Sequence, residues 1–183
     1  GSGVDTSLFQ PKTKTKKNIF SFIFVGRFLK DKGMLELYDA VIGLSKIRND
    51  FKVILLGSRY VSNETSISEV QLNLFKTNNF FHVFGHTDNV QNELGKADCL
   101  ILPSYREGLS KVLIEAGSSG IPCITTNVPG CKDVITDNYN GLIIEPKSSE
   151  SLLVAMEKML KFEYSTLSKL GKNTRRNIIE NFS

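Results

Sequence analysis

The feature that most constrains this chain is a regular alternation of short apolar runs with amphipathic segments. Runs at 18–25, 51–56, 80–84, 98–102, 122–126 and 140–145 read as strands. Gly26, Gly57 and Gly85 close the first three, and Pro103 stops the fourth. Between them lie segments with helical spacing. Residues 34–47 place Leu37, Ala40, Val41 and Leu44 on one face, and 66–76 place Ile67, Val70 and Leu74 together. Asp88 is expected to cap a short helix reaching Leu94, and 109–118 to form another. Ser148 opens a helix over 148–160, and a last one starts near Ser165. Near-continuous apolar strands separated by helices imply a sheet buried on both faces. The fold class is therefore α/β: a Rossmann-like doubly wound parallel sheet of about six strands.

The chain has 183 residues, which suggests one domain with a sizeable core. No apolar run is long enough to span a bilayer, and no secretory leader pattern opens the chain. Cys99, Cys123 and Cys131 are odd in number and form no CxxC pair, so they read as reduced, mostly buried thiols. A cytoplasmic protein is expected. The net charge is +4, and Lys12, Lys14, Lys16 and Lys17 cluster. The favoured reading is a solvated run. Peripheral attraction to the inner face of the plasma membrane is the alternative. A nucleic-acid partner is not expected, because no aromatic platform interleaves the run.

In such sheets ligands bind beyond the carboxyl ends of the strands. Three loops there carry unusual residues. The first runs from Gly26 to Gly33 and holds two cations, Arg27 and Lys32, before a helix. A guanidinium fork, an ammonium and a helix start together suit a diphosphate. Solvated loop cations are an equal reading of this loop alone. GxGxxG is absent, which argues against a nicotinamide dinucleotide. The second loop, 103–116, sets Glu107 and Gly108 before a helix starting near Leu109. Glu115 lies two turns in, where a carboxylate can accept both hydroxyls of a ribose diol. Equally, Lys111 and Glu115 are spaced as a surface ion pair, and Glu107 as a helix-start carboxylate. The third, 125–131, reads as a Pro-Gly turn.

These loops, in this order, resemble retaining glycosyltransferases of family 4, whose GT-B architecture has two Rossmann-like halves. The opening 1–11, GSGVDTSLFQP, is similar to the family's linker into the C-terminal donor-binding domain. Gly26-Arg27 through Lys32-Gly33 is similar to its diphosphate loop. Glu107 to Glu115 reproduces its E-x7-E motif, and Val128-Pro129-Gly130-Cys131 with Asn140-Gly141-Leu142 completes the pattern. The resemblance implies a linker at 1–17, a nucleotide-sugar-binding domain at 18–163 and a truncated C-terminal helix at 164–183. It implies an N-terminal domain of the same polypeptide that is absent here and supplies the acceptor site, so the isolated domain is expected to be inactive.

The resemblance also implies roles. Gly26, Arg27, Lys32 and the amides of Gly108, Leu109 and Ser110 would bind the donor diphosphate. Glu115 would hold the ribose. Glu107 would lie beside the transferred sugar as the catalytic residue. Gly57, Ser58, Arg59, Gly85 and His86 would frame the base. No cofactor or metal is expected: cations and amides would neutralise the leaving diphosphate, and His82 and His86 do not read as a metal pair. After Glu115 the family shows Ala-Met-Ala. Here Ala116-Gly117-Ser118 follows, which is expected to loosen helix packing. The segment 63–68 with 105–108 is similar to bacterial surface-polysaccharide transferases, which implies a UDP-sugar donor and a lipid-linked or glycan acceptor. A sugar-nucleotide epimerase of the same plan and a non-catalytic nucleotide-binding module remain the alternatives.

Overall fold

The structure is a computed structural model and describes residues 3–14 and 17–183. Six parallel strands form one sheet: β1 (Phe20–Val25), β2 (Phe51–Leu56), β3 (Phe81–Gly85), β4 (Cys99–Leu102), β5 (Cys123–Thr126) and β6 (Gly141–Ile144). Their order is β3-β2-β1-β4-β5-β6. The helices are α1 (Met34–Ser45), α2 (Glu69–Lys76), α3 (Val90–Lys96), α4 (Lys111–Ser118), α5 (Pro129–Lys132), α6 (Ser149–Lys161) and α7 (Tyr164–Asn181). The doubly wound Rossmann-like class is the observed one.

Strand alternation divides the core into two layers. Phe22, Phe24, Val53, Leu55, Cys99, Ile101 and Ile124 point to one face, where Leu37, Leu44, Phe75 and Met156 bring α1, α2 and α6 against them. Ile23, Leu56, Leu100, Leu102 and Cys123 point to the other, against Leu94, Leu113, Ala116 and Ile178 of α3, α4 and α7. Burial on both faces is why the strands lack a polar alternation. All three cysteines are free and buried.

Several local expectations are corrected. Asp88 caps no helix: Asn89 occupies the N-cap of α3 without a side-chain cap, and Asp88 meets His86 instead. Helix α2 is capped by Ser68, reciprocally with Gln71. It buries Phe75, with Ile67 buried just ahead of it, while Val70 and Leu74 stay exposed. The supposed turn at 125–131 contains α5, with Pro129 at its first position.

The lysine run is not simply solvated. Lys12 donates to Asn92 at 2.7 Å and Lys17 to the Lys96 carbonyl at 2.6 Å. Lys14 donates to the Ala97 carbonyl and pairs with Asp98. Burial holds the Lys14 ammonium below its usual pKa, with Asp98 opposing that shift. Ammonium groups at a helix C-terminus meet its free carbonyls and the negative end of its dipole. Lys16 lies outside the described residues, as do Gly1 and Ser2.

Packing after Glu115 is also the reverse of the expectation. A Cβ on Gly117 would stand 2.7 Å from Ile178 and 2.8 Å from Thr174, so glycine lets α7 approach α4 closely. Ser118 donates to the Phe9 carbonyl at 2.7 Å, and Arg175 of α7 donates to the carbonyls of Phe9 and Ser118. The leading segment and α7 therefore pack on the domain body. Val4 donates to the Phe182 carbonyl at 3.0 Å, which joins the two ends.

Candidate functional site

Strands β1 and β4 are neighbours in the sheet, and chain order reverses between them. Loops leaving this switch point diverge and open a crevice at the carboxyl edge. After β1 the chain turns at Gly26, whose amide donates to the Leu56 carbonyl at 3.0 Å; Gly57 donates in turn to Gly85 at 2.8 Å. These bonds bring the loops after β1, β2 and β3 together. Gly26, Arg27, Gly57, Ser58, His86 and Thr87 line one crevice of about 280 Å³. Arg27 is exposed there, its guanidinium 5.4 Å from the centre of the Tyr60 ring.

The Lys32 ammonium reaches across from the first loop to Glu107, 2.6 Å from Oε1. Ser104 donates to the same oxygen at 2.7 Å. The Glu107 side chain is 11% exposed. Helix α5 fixes the backbone beneath it. A Cβ on Gly130 would fall 1.6 Å from the Gly108 carbonyl oxygen, so only glycine permits that approach. The hydroxyl of Thr126 donates to the Ser104 carbonyl at 2.6 Å, pinning the loop's base to β5. Ser110 caps α4 by accepting from Leu113. Among the described residues, the amides of Gly108, Leu109 and Ser110 have no protein acceptor. Free amides ahead of a helix start, beside an ammonium, make a site suited to an anion.

Glu115 lies on α4 with its side chain 12% exposed, and Lys111 stands 3.7 Å away. The ion pair anticipated from their spacing is present. Burial pushes the Glu115 pKa up, and the Lys111 ammonium only partly offsets it.

The structure separates some residues grouped from sequence. Arg59 does not line the crevice. Its guanidinium turns into its own loop, donating to the Ile67 carbonyl at 2.8 Å and standing 4.0 Å from Glu69. His86 lines the crevice and lies 3.2 Å from Asp88. His82 lines a separate groove of about 570 Å³ with Lys52 and Phe84. One residue and one contact at the site escaped sequence reading. Tyr60 beside Arg27 carries no local signal. The clasp between Lys32 and Glu107 joins residues 75 apart in sequence, and only strand order brings them together.

Comparison with known proteins agrees with this architecture. The chain is 29% identical over 160 residues to the capsular polysaccharide biosynthesis glycosyltransferase CapM of Staphylococcus aureus, covering 87% of this chain and 41% of that protein. It is 27% identical over 195 residues to the UDP-Gal:alpha-D-GlcNAc-diphosphoundecaprenol alpha-1,3-galactosyltransferase of Escherichia coli, covering all of this chain and 49% of that one. The chain thus spans less than half the length of these curated relatives. The solved C-terminal domain of a glycosyl transferase group 1 protein from Francisella tularensis superposes with a TM-score of 0.84 at 21% identity, over 99% of both chains. At that identity the likeness shows the fold. The match to glycosyl transferases group 1 runs over residues 5–177, nearly the whole chain, and the protein belongs to that family.

Proposed function

We propose that this chain is the donor-binding half of a retaining glycosyltransferase of family 4, taking a UDP-sugar and passing the sugar to a lipid-linked or glycan acceptor. The observation that carries the reading is the convergence at the switch point. Lys32 meets Glu107, the free amides of residues 108–110 lie beside them, and Arg27 stands over the neighbouring crevice. The Escherichia coli relative, by its name, uses UDP-galactose and an undecaprenol-linked acceptor, which supports this choice of substrates.

In this reading the bond from the anomeric carbon to the phosphate oxygen breaks, and its electron pair goes to the diphosphate. Arg27, Lys32 and the amides ahead of α4 stabilise that growing charge without needing a metal. Glu107 lies beside the sugar, where its carboxylate stabilises an oxocarbenium-like centre. Its clasp with Lys32 keeps it from repelling the incoming diphosphate. Glu115 accepts from the ribose hydroxyls. Gly57, Ser58, Gly85 and His86 surround the base; Arg59 supports its loop. The acceptor approaches from a further domain on the open side of the crevice. A lipid-linked acceptor places the enzyme at the inner face of the plasma membrane as a peripheral protein. Among the described residues, no helix is long and apolar enough to cross a membrane.

Isothermal titration of the chain with UDP, GDP and a nicotinamide dinucleotide tests the reading. Binding of UDP in preference to the other two is expected, and binding of the dinucleotide alone would overturn it.

A further inference from the structure

Outside the residues assigned above, Tyr105 is where several loops of the carboxyl edge meet. Its hydroxyl donates to Glu36 in the first turn of α1, 2.5 Å from Oε1 and 2.8 Å from Oε2. Its amide donates to the Asp31 carbonyl at 2.8 Å. Lys147, from the loop between β6 and α6, places its ammonium 5.1 Å from the centre of the Tyr105 ring. That lysine holds a left-handed backbone, with φ of 59°. The next residue, Arg106, pairs with Asp31 at 2.8 Å. The Asp31 ties join the same two loops as the Lys32–Glu107 clasp, the Glu36 bond reaches the start of α1, and Lys147 comes from a third loop; none uses Lys32 or Glu107.

Besides these ties, Thr126 holds the loop at Ser104, Gly130 packs on Gly108, and Lys32 and Ser104 hold the Glu107 carboxylate. Residues 108–110, however, make no amide bonds to protein among the described residues. A segment with so few backbone bonds opens readily unless side chains restrain it. The Arg106 ion pair is a weak restraint, since that side chain is 83% exposed. The phenol–carboxylate bond is charge-assisted, half-buried and stronger. Burial, and then the bond to Glu36, push the Tyr105 pKa well above the usual phenol range, so the group stays a donor at physiological pH.

We infer that Tyr105 and Glu36 form a positioning pair that straps the loop carrying Glu107 and the free amides to α1, in the geometry a donor diphosphate needs. The inference rests on the donor-site reading above. A preformed site requires such a supporting layer, because amides displaced by an ångström no longer converge on one anion.

Two measurements on the whole chain test it. Trypsin cleavage after Arg106 requires the surrounding backbone to enter the protease cleft, so its rate follows local opening of the loop. Cleavage there, relative to cleavage after Lys46, is expected to rise about tenfold in Tyr105→Phe and Glu36→Ala, as local opening becomes easier. In both variants UDP affinity, by titration, is expected to fall about fivefold, the scale of one hydrogen bond. Glu36→Gln keeps an acceptor for the phenol and should stay within about twofold of wild type in both assays. The double variant Glu36→Ala with Tyr105→Phe should be no weaker than either single one, since the two groups act as a unit. Wild-type cleavage rates in Tyr105→Phe, unchanged UDP affinity in a loosened loop, or losses that add in the double variant would each overturn the positioning role. A wild-type chain that binds no UDP would overturn the donor-site reading and this role with it. Wild-type binding with indifferent variants would overturn the strap alone.

Discussion

Each candidate side chain here is set by one or two neighbours. Arg27 has a ring beside it and no recorded carboxylate partner among the described residues, so its charge is available to a ligand. Arg27→Ala is expected to weaken UDP binding by about 10- to 100-fold, the loss of a charged hydrogen-bonding partner, with an unchanged unfolding midpoint. Titration and thermal denaturation check the two halves of that statement. Glu115 makes a prediction of opposite sign for stability. Its folded-state pKa is raised by burial, so the ionised carboxylate destabilises the native state as pH rises through that value. Glu115→Gln should therefore melt at a higher temperature than wild type at neutral pH. The gain should shrink on acidification and vanish below about pH 4, where an unperturbed glutamate is already protonated. If Glu115 holds the ribose as proposed, the same variant should bind UDP more weakly, because the amide accepts less well from the hydroxyls. A variant less stable than wild type at neutral pH would show that Lys111 outweighs burial.

At the scale of elements, the site depends on a short helix that the sequence disguises as a turn. Helix α5 presses Gly130 against the carbonyl of Gly108, and that contact sets where the amides ahead of α4 point. Gly130→Ala forces backbone apart and should cost about 1–3 kcal/mol of stability, as overpacking does. It should also reduce UDP affinity at least about tenfold, since a displaced loop misaims its donors. Denaturant titration and calorimetry read these two effects. The leading segment shows a related use of a helix end. Lysines that look like a solvent-facing run are anchors, because the C-terminal carbonyls of α3 lie within their reach. The spacing of charges along a chain cannot reveal this, since the acceptors come from a helix some eighty residues away.

For the whole molecule, Arg175 is the joint that ties α7, α4 and the leading segment into one body. Arg175→Ala should lower stability by about 1–3 kcal/mol in urea unfolding, because the Phe9 and Ser118 carbonyls lose a charged donor. A single cooperative transition is expected to persist. The architecture at this scale was legible from the alternation of apolar runs, which is a local property of each strand and helix. Boundaries moved by a few residues, and the faces of α2 were misjudged because packing, not periodicity, chose Phe75 over Val70 and Leu74. Arg27, Lys32 and Glu107 could be singled out as candidates because they lie in the loops that follow strands, where the topology of any such sheet directs ligands; Glu115 was singled out on the helix that follows. The direction of the Arg59 side chain was not legible, because the Ile67 carbonyl that it meets is placed by the fold of its loop.

By itself, the sequence determined the class of fold and pointed to the edge of the sheet where the candidate site lies, since both follow from short-range patterns of burial and turn residues. Tertiary structure alone decided which residues meet. Strand order placed β1 beside β4, and so brought Lys32 to Glu107 and Tyr105 to Glu36. Contacts across some seventy residues of chain depend on the sheet closing in one order, and no local pattern encodes that.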